Sequence, residues 1–177
     1  MTPRRLIYGG SPGDKAYLIR VHPKQRAAID SKATEILYGG AAGGGKSYLM
    51  RVAAIAWCRA IPGLQVYLFR RTNPDLILNH LNGAGSFYEL LAPYLQAGTV
   101  SITAKPSKIS FANGSNIHLC HCANDSDMYN YQGAEIHVLM IDELTHFSES
   151  VYRFLRGRLR TGSLKIPEAY SRVITRS

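Results

Sequence analysis

From Tyr38 to Leu49 the chain reads YGGAAGGGKSYL, with Gly40, Gly45, Lys46 and Ser47 at the fixed places of the pattern G-x-x-x-x-G-K-S. Glycine at this density lets successive backbone N–H groups turn toward one point. The N-terminus of a following helix adds unpaired donors and partial positive charge at the same point. A polyphosphate is the ligand that suits such a cradle. Read as a P-loop, Gly40, Ala41, Ala42, Gly43, Gly44 and Gly45 wrap the phosphates, Lys46 holds the β and γ groups, and Ser47 offers a hydroxyl to Mg²⁺.

A second run, HVLMIDEL from His137 to Leu144, sets two adjacent carboxylates after four apolar residues. Open α/β sheets gather ligands beyond the carboxyl ends of their strands. A buried parallel strand over Val138 to Ile141 therefore delivers Asp142 to the metal, through water, and Glu143 to the γ-phosphate side. A carboxylate in that second place suits a base that polarises the attacking water. The pair of runs points to Mg²⁺-dependent hydrolysis of a nucleoside triphosphate, the second run being the Walker B element.

For the two runs to meet, the remaining segments must build a sheet. The patterning predicts a short helix from about Pro23 to Ser31, a strand over Glu35 to Tyr38, and a helix behind the P-loop that ends near Ile61 to Gly63. Next come a strand QVYLFRR, a helical stretch broken at Gly83 and Gly85, and the alternating runs TVSITA and KISFANGSNIHLCHC, with a hairpin turn at Asn113 to Ser115. The Walker B strand, an arginine-bearing helix and a last strand SRVITRS close the series. Such alternation predicts an α/β fold of the RecA-like P-loop NTPase class, a mostly parallel sheet flanked by helices with an inserted β-hairpin. Residues 1–22 read as an N-terminal arm and residues 23–177 as one ATPase domain.

Composition fits a folded domain: 177 residues, 46% hydrophobic and 19% charged. No apolar run approaches the roughly 20 residues that cross a bilayer. Cys58, Cys120 and Cys122 are too few and too unevenly spaced for a disulfide framework. Lys plus Arg number 21 against 12 acidic residues, a net +9, which favours a polyanionic partner. Part of the excess lies in the N-terminal third and part in SVYRFLRGRLRTGSLK, where Arg153, Arg156 and Arg160 recur at helical spacing and Arg158 stands off that face.

YGGAAGGGKS, FRRT, FANGSNIHL and YQGAEIHVLMIDELTHFSESVYRFLRGRLR, in this order and spacing, resemble the N-terminal ATPase domain of the large terminase subunit of tailed double-stranded DNA bacteriophages. The resemblance runs from about Pro23 onward. It implies an ATP- and Mg²⁺-dependent motor, working in the cytoplasm of the infected bacterial host. Such a motor assembles as a homo-oligomeric ring on the portal protein, works with a small terminase subunit, and drives double-stranded DNA into the procapsid. Carried over, it makes Gly40 to Ser47 the Walker A loop, Asp142 the Mg²⁺ carboxylate and Glu143 the catalytic glutamate. Gln25 resembles a glutamine that reads the adenine edge, a task its amide suits by offering both donor and acceptor. Thr175 and Ser177 stand where the family begins a motif coupling hydrolysis to movement.

The chain departs from the family in places. Many relatives carry an arginine inside the Walker A loop, where Ala41 and Ala42 stand here, and some carry one at the place of Gln132. An arginine finger is still expected, with Arg70, Arg71, Arg156, Arg158 and Arg160 as candidates, while Arg153, Arg156 and Arg160 are candidates for DNA contact. The carboxylate-rich nuclease domain that normally follows is not in this sequence, so an ATPase fragment is expected, cut before the end of its fold and without nuclease activity. Two alternatives stay open. A RecA-like helicase or translocase would separate strands and bring further motor motifs, and a non-hydrolysing nucleotide-dependent DNA-binding module would dispense with Glu143.

Overall fold

The computed structural model describes residues 4–8, 17–31, 33–40, 45–162 and 164–167. Strands β1 (Arg4–Tyr8) and β2 (Tyr17–Val21) pair antiparallel as a ribbon separate from the main sheet. The expected arm thus contains paired structure and leads through buried Val21 into helix α1 (Pro23–Ile29). Proline opens that helix, where its missing N–H forfeits no bond.

Helix α2 (Lys46–Ala60) follows the glycine-rich run and buries Leu49, Val52, Ala53, Ala54, Ile55, Ala56 and Cys58. A helix so apolar around its circumference is an interior element. It packs on β3 (Gln65–Arg70), an interior strand of a five-stranded sheet of order β4-β5-β6-β3-β7. Strand β3 runs parallel to β6 (Asn116–His121) on one side and to β7 (Val138–Ile141) on the other. Strands β4 (Val100–Ala104) and β5 (Ser107–Phe111) extend the sheet antiparallel beyond β6. Between β3 and β4 lie α3 (Asn73–Leu76), a π turn (Ile77–Leu81) and α4 (Phe87–Gln96).

Side-chain alternation along β3 separates two apolar layers. Val66 and Leu68 join the main core with Ile55, Leu91, Ile109 and Ile117, whereas Phe69 meets Cys120, Cys122, Val151 and Leu155. Val151 and Leu155 come from α5 (Glu149–Arg156), so helices cover both faces.

Three expectations are corrected. The sheet is mixed rather than mostly parallel, because the hairpin segments are full members of it: connections as short as Lys105–Pro106 and Asn113–Ser115 can join only antiparallel neighbours. Glu35 to Tyr38 form no strand; Ile36 and Leu37 are 45% and 84% exposed, and among the described residues no strand lies beside them. Strand β7, at the end of the described sheet, is half-buried at Val138, Leu139 and Ile141 rather than enclosed.

The arginine stripe is corrected as well. Helix α5 stops at Arg156, and beyond Gly157 the chain turns back so that Arg160 N–H donates to Ile136 O at 2.9 Å. Arg160 is therefore not on one helical face with Arg153 and Arg156. No helix among the described residues is long and apolar enough to cross a membrane.

His118 stacks on Tyr67, with ring centroids 4.3 Å apart, and lies 2.9 Å from Gln65 Oε1. Burial, with the Lys108 charge adding to it, lowers its pKa from 6.5 to about 4. Below 6.5 the unfolded chain then binds a proton that the folded chain refuses, so stability falls as pH drops from 6.5 toward 4. His118→Gln should make the dependence of urea-unfolding stability on pH shallower across that window; an unchanged slope would contradict the assignment.

Candidate functional site

The site is built where α2 begins and β3 and β7 end. Gly45, with φ 70°, caps α2 in the left-handed region, and Lys46 and Ser47 form its first turn. Lys46 Nζ donates to Gly40 O at 2.6 Å. Ala41, Ala42, Gly43 and Gly44 lie outside the described residues, as do Thr175 and Ser177.

Asp142, directly after β7, is 3% exposed. Its Oδ2 accepts from Arg70 Nη1 at 2.7 Å, from Ser47 Oγ at 3.0 Å and from His80 Nε2 at 3.1 Å. Burial alone would push this carboxyl up. The His80 and Ser47 hydrogen bonds and the Arg70 charge outweigh burial and hold it below its usual range. Asp142 is thus an anion near neutral pH.

Glu143 is the one non-glycine residue with positive φ among the described residues, at 56°. A bulky side chain in that region is strained, and such strain persists where surrounding contacts over-determine it. The contacts are present: Glu143 Oε1 accepts from Arg70 Nη2 at 2.7 Å, and Oε2 lies 3.2 Å from His146 Nδ1. Arg70, buried at the end of β3, therefore grips both carboxylates with the two arms of one guanidinium. Glu143 keeps a 40% exposed side chain, so it faces solvent at the rim while Asp142 lies beneath.

Gln25 is 2% exposed, and both ends of its amide are engaged: Oε1 accepts from His22 N at 2.9 Å and Nε2 donates to Gly45 O at 3.1 Å. In this arrangement it ties α1 to the start of α2. The other arginines lie elsewhere. Arg153 pairs with Glu149 and Arg156 with Glu35, Arg158 stacks over the Phe154 ring at 4.5 Å, and exposed Arg160 reaches Ala134 O at 3.4 Å. Arg71 is half-buried close enough to Asp125 to lower its pKa, after the stronger effect of hydrogen bonds from Ser148 and Ser150.

Two residues escaped the sequence reading. His80 is fully buried against Asp142, and Arg51, 6% exposed on α2, reaches Asn79 O at 2.7 Å and His80 Nδ1 at 3.5 Å. The only signal in the sequence is a histidine inside an apolar run, LILNHL, and an arginine inside another, LMRVAAIAW.

The donor set fits a small hard cation beside a phosphate. It offers a hydroxyl and an ionised carboxylate 3.0 Å apart, with Lys46 next to the hydroxyl, at the N-terminus of a long buried helix. Comparison with protein-family models, with curated proteins and with solved structures finds no match in any of the three.

Removing Arg70 leaves two adjacent carboxylates without their shared cation. Arg70→Met should cost about 3–5 kcal/mol of folding stability, read by denaturant unfolding, and a loss below about 0.5 kcal/mol would show that neutralisation comes from elsewhere. Gly45→Ala faces two obstacles, a left-handed backbone and a Cβ only 2.6 Å from Gln25 Nε2. It should cost at least about 1–2 kcal/mol from the backbone alone. Adding Gln25→Ala should restore only the contact part; full restoration would mean that the backbone is unstrained.

Proposed function

We propose that this chain is a P-loop ATPase, the motor domain of a phage large terminase subunit, which drives double-stranded DNA into a procapsid. The observation that carries the reading is the 3.0 Å hydrogen bond from Ser47 Oγ to Asp142 Oδ2. Residues 95 positions apart, singled out independently as the two metal-binding places of a nucleotide site, share one hydrogen bond. The glutamate next to Asp142 then stands at the rim, where a γ-phosphate and a water would lie.

Bound Mg²⁺ would supply charge neutralisation at the β and γ phosphates. Ser47 and Asp142 would hold it, and Lys46, released from Gly40 O, would bind phosphate oxygens. Glu143 would accept a proton from the attacking water. To do so it must free one oxygen, and its contact to His146, itself 57% exposed, is the weaker restraint. Arg70 keeps the two carboxylates side by side throughout. A guanidinium so committed cannot also reach into a neighbour's site, which leaves Arg71, Arg156, Arg158 and Arg160 as fingers donated between subunits of a ring.

Double-stranded DNA, the portal protein and a small terminase subunit are the partners on this reading, in the cytoplasm of the infected host. The basic composition supports a polyanion. Arg153 and Arg156 would engage it only by giving up Glu149 and Glu35, contacts that are exposed and weak.

Lys46→Ala should abolish ATP turnover and weaken binding of Mg²⁺·ATP. Glu143→Gln should bind ATP yet slow single-turnover hydrolysis by about 10²-fold or more, the scale of a lost general base. Near wild-type hydrolysis by Glu143→Gln would remove the base role, and an absence of nucleotide binding by the wild-type protein would remove the whole reading.

A further inference from the structure

Helix α2, which carries Lys46 and Ser47, reaches Asp142 by two routes. The direct one is the Ser47 hydroxyl. The second runs through Arg51, one turn further along the same helix, and then through His80. Arg51 Nη1 donates to Asn79 O at 2.7 Å and faces His80 Nδ1 at 3.5 Å, so one guanidinium arm holds the backbone beside the histidine and the ring itself.

The local chain geometry brings His80 inward. Thr72 caps α3 by accepting from Asp75 N, and the helix then widens into the π turn, closed by Asn82 N–H donating to Ile77 O at 3.2 Å. Within this turn His80 is 0% exposed while Leu78 is 67% exposed. Single π turns are uncommon and collect at functional sites.

The neighbours of the ring dictate its protonation. A carboxylate only accepts, so Nε2 carries the hydrogen; a guanidinium only donates, so Nδ1 is bare. A ring whose two nitrogens are each committed to a different partner sets the orientation of a carboxylate, and partners of this kind behind a metal ligand are worth about 10–100-fold in metal affinity or activity.

We infer that His80, locked by Arg51, is a positioning residue that orients the Asp142 carboxylate for a divalent cation at the nucleotide site. The inference rests on the reading of Ser47 and Asp142 as cation ligands. Arg70 neutralises Asp142, and His80 fixes its direction.

The test uses the whole chain with Mn²⁺ and ADP as probes. Electron paramagnetic resonance gives the Mn²⁺ affinity of the ADP complex, and titration gives the affinity for ADP without metal. His80→Phe keeps a flat ring and removes the donor; it should weaken Mn²⁺ binding by about 10–100-fold. Metal-free ADP affinity should stay within about 2-fold, because the hydrogen bonds of the His80 ring go to Asp142 and Arg51. His80→Gln, whose amide nitrogen takes the place of Nε2, should recover most of the loss. In the wild-type protein, ¹⁵N NMR should show a hydrogen-bearing Nε2 and a bare Nδ1. His80→Phe equal to wild type in Mn²⁺ affinity, an equal loss of metal and of metal-free ADP binding, or the opposite tautomer would each overturn the inference. If His80→Phe does not fold, His80→Gln and the tautomer decide it. A wild-type chain that binds no Mn²⁺·ADP would instead overturn the reading of the site itself.

Discussion

A buried anion organises this fold. Taking a carboxylate out of water costs several kcal/mol even after relaxation, and Asp142 is 3% exposed without being neutral. Its position is tenable only because three elements converge on one oxygen: β3 through Arg70, α2 through Ser47 and the π turn through His80. Each partner is in turn placed by apolar packing. Leu68 and Phe69 fix the end of β3 from both faces, Val52 and Ile55 are buried on α2, and Leu76, just before the π turn, and Leu81, at its end, are buried as well. The core is what holds three donors within about 3 Å of Oδ2, and the anion in turn penalises any packing that would move them apart.

The start of α2 is held from the opposite side. Gly45 adopts a left-handed conformation that a side chain resists, and the space a Cβ would take belongs to Gln25 Nε2. Glycine is therefore required there twice, by backbone and by contact. The same amide that presses on Gly45 also accepts from His22 N, so α1 and α2 share one side chain. Reading adenine with Gln25 would demand that those bonds be exchanged for bonds to a base, which makes the adenine edge a competitor for a structural tie.

Legibility in the sequence followed the range of the interaction. Strands β3 and β7, the extent of α2, the break before α4 and the Asn113 hairpin were all readable, since each depends on residues within a few positions: apolar alternation, a glycine, a proline, an Asn-Gly turn. The adjacency of Ser47 and Asp142 was readable because a motif encodes it. That β4 and β5 join the parallel strands as full members of one sheet was not, because the pairing of β6 with β3 that carries them into it is non-local. Glu35 to Tyr38 shows the converse error: apolar residues there match a strand pattern, but a strand needs a ladder partner, and Leu37 stands 84% exposed. His80 and Arg51 were illegible for the same reason, since one histidine in LILNHL carries no sign of the carboxylate it meets 62 positions later.

Net charge needs the same correction from composition to place. A formal +9 counts Arg51 and Arg70, which are 6% and 7% exposed and face inward to His80, Asp142 and Glu143. It also counts Arg153 and Arg156, each already beside a glutamate on the surface. A phosphate backbone responds to charge that it can approach within a Debye length, not to charge satisfied inside a fold. Among the described residues outside α5, the exposed cations are Lys24, Lys105, Arg160 and Lys165, which lie on different segments rather than on one helix. A polyanion at this surface would therefore meet cations drawn from several elements, not the single helical stripe that the spacing of Arg153, Arg156 and Arg160 suggests.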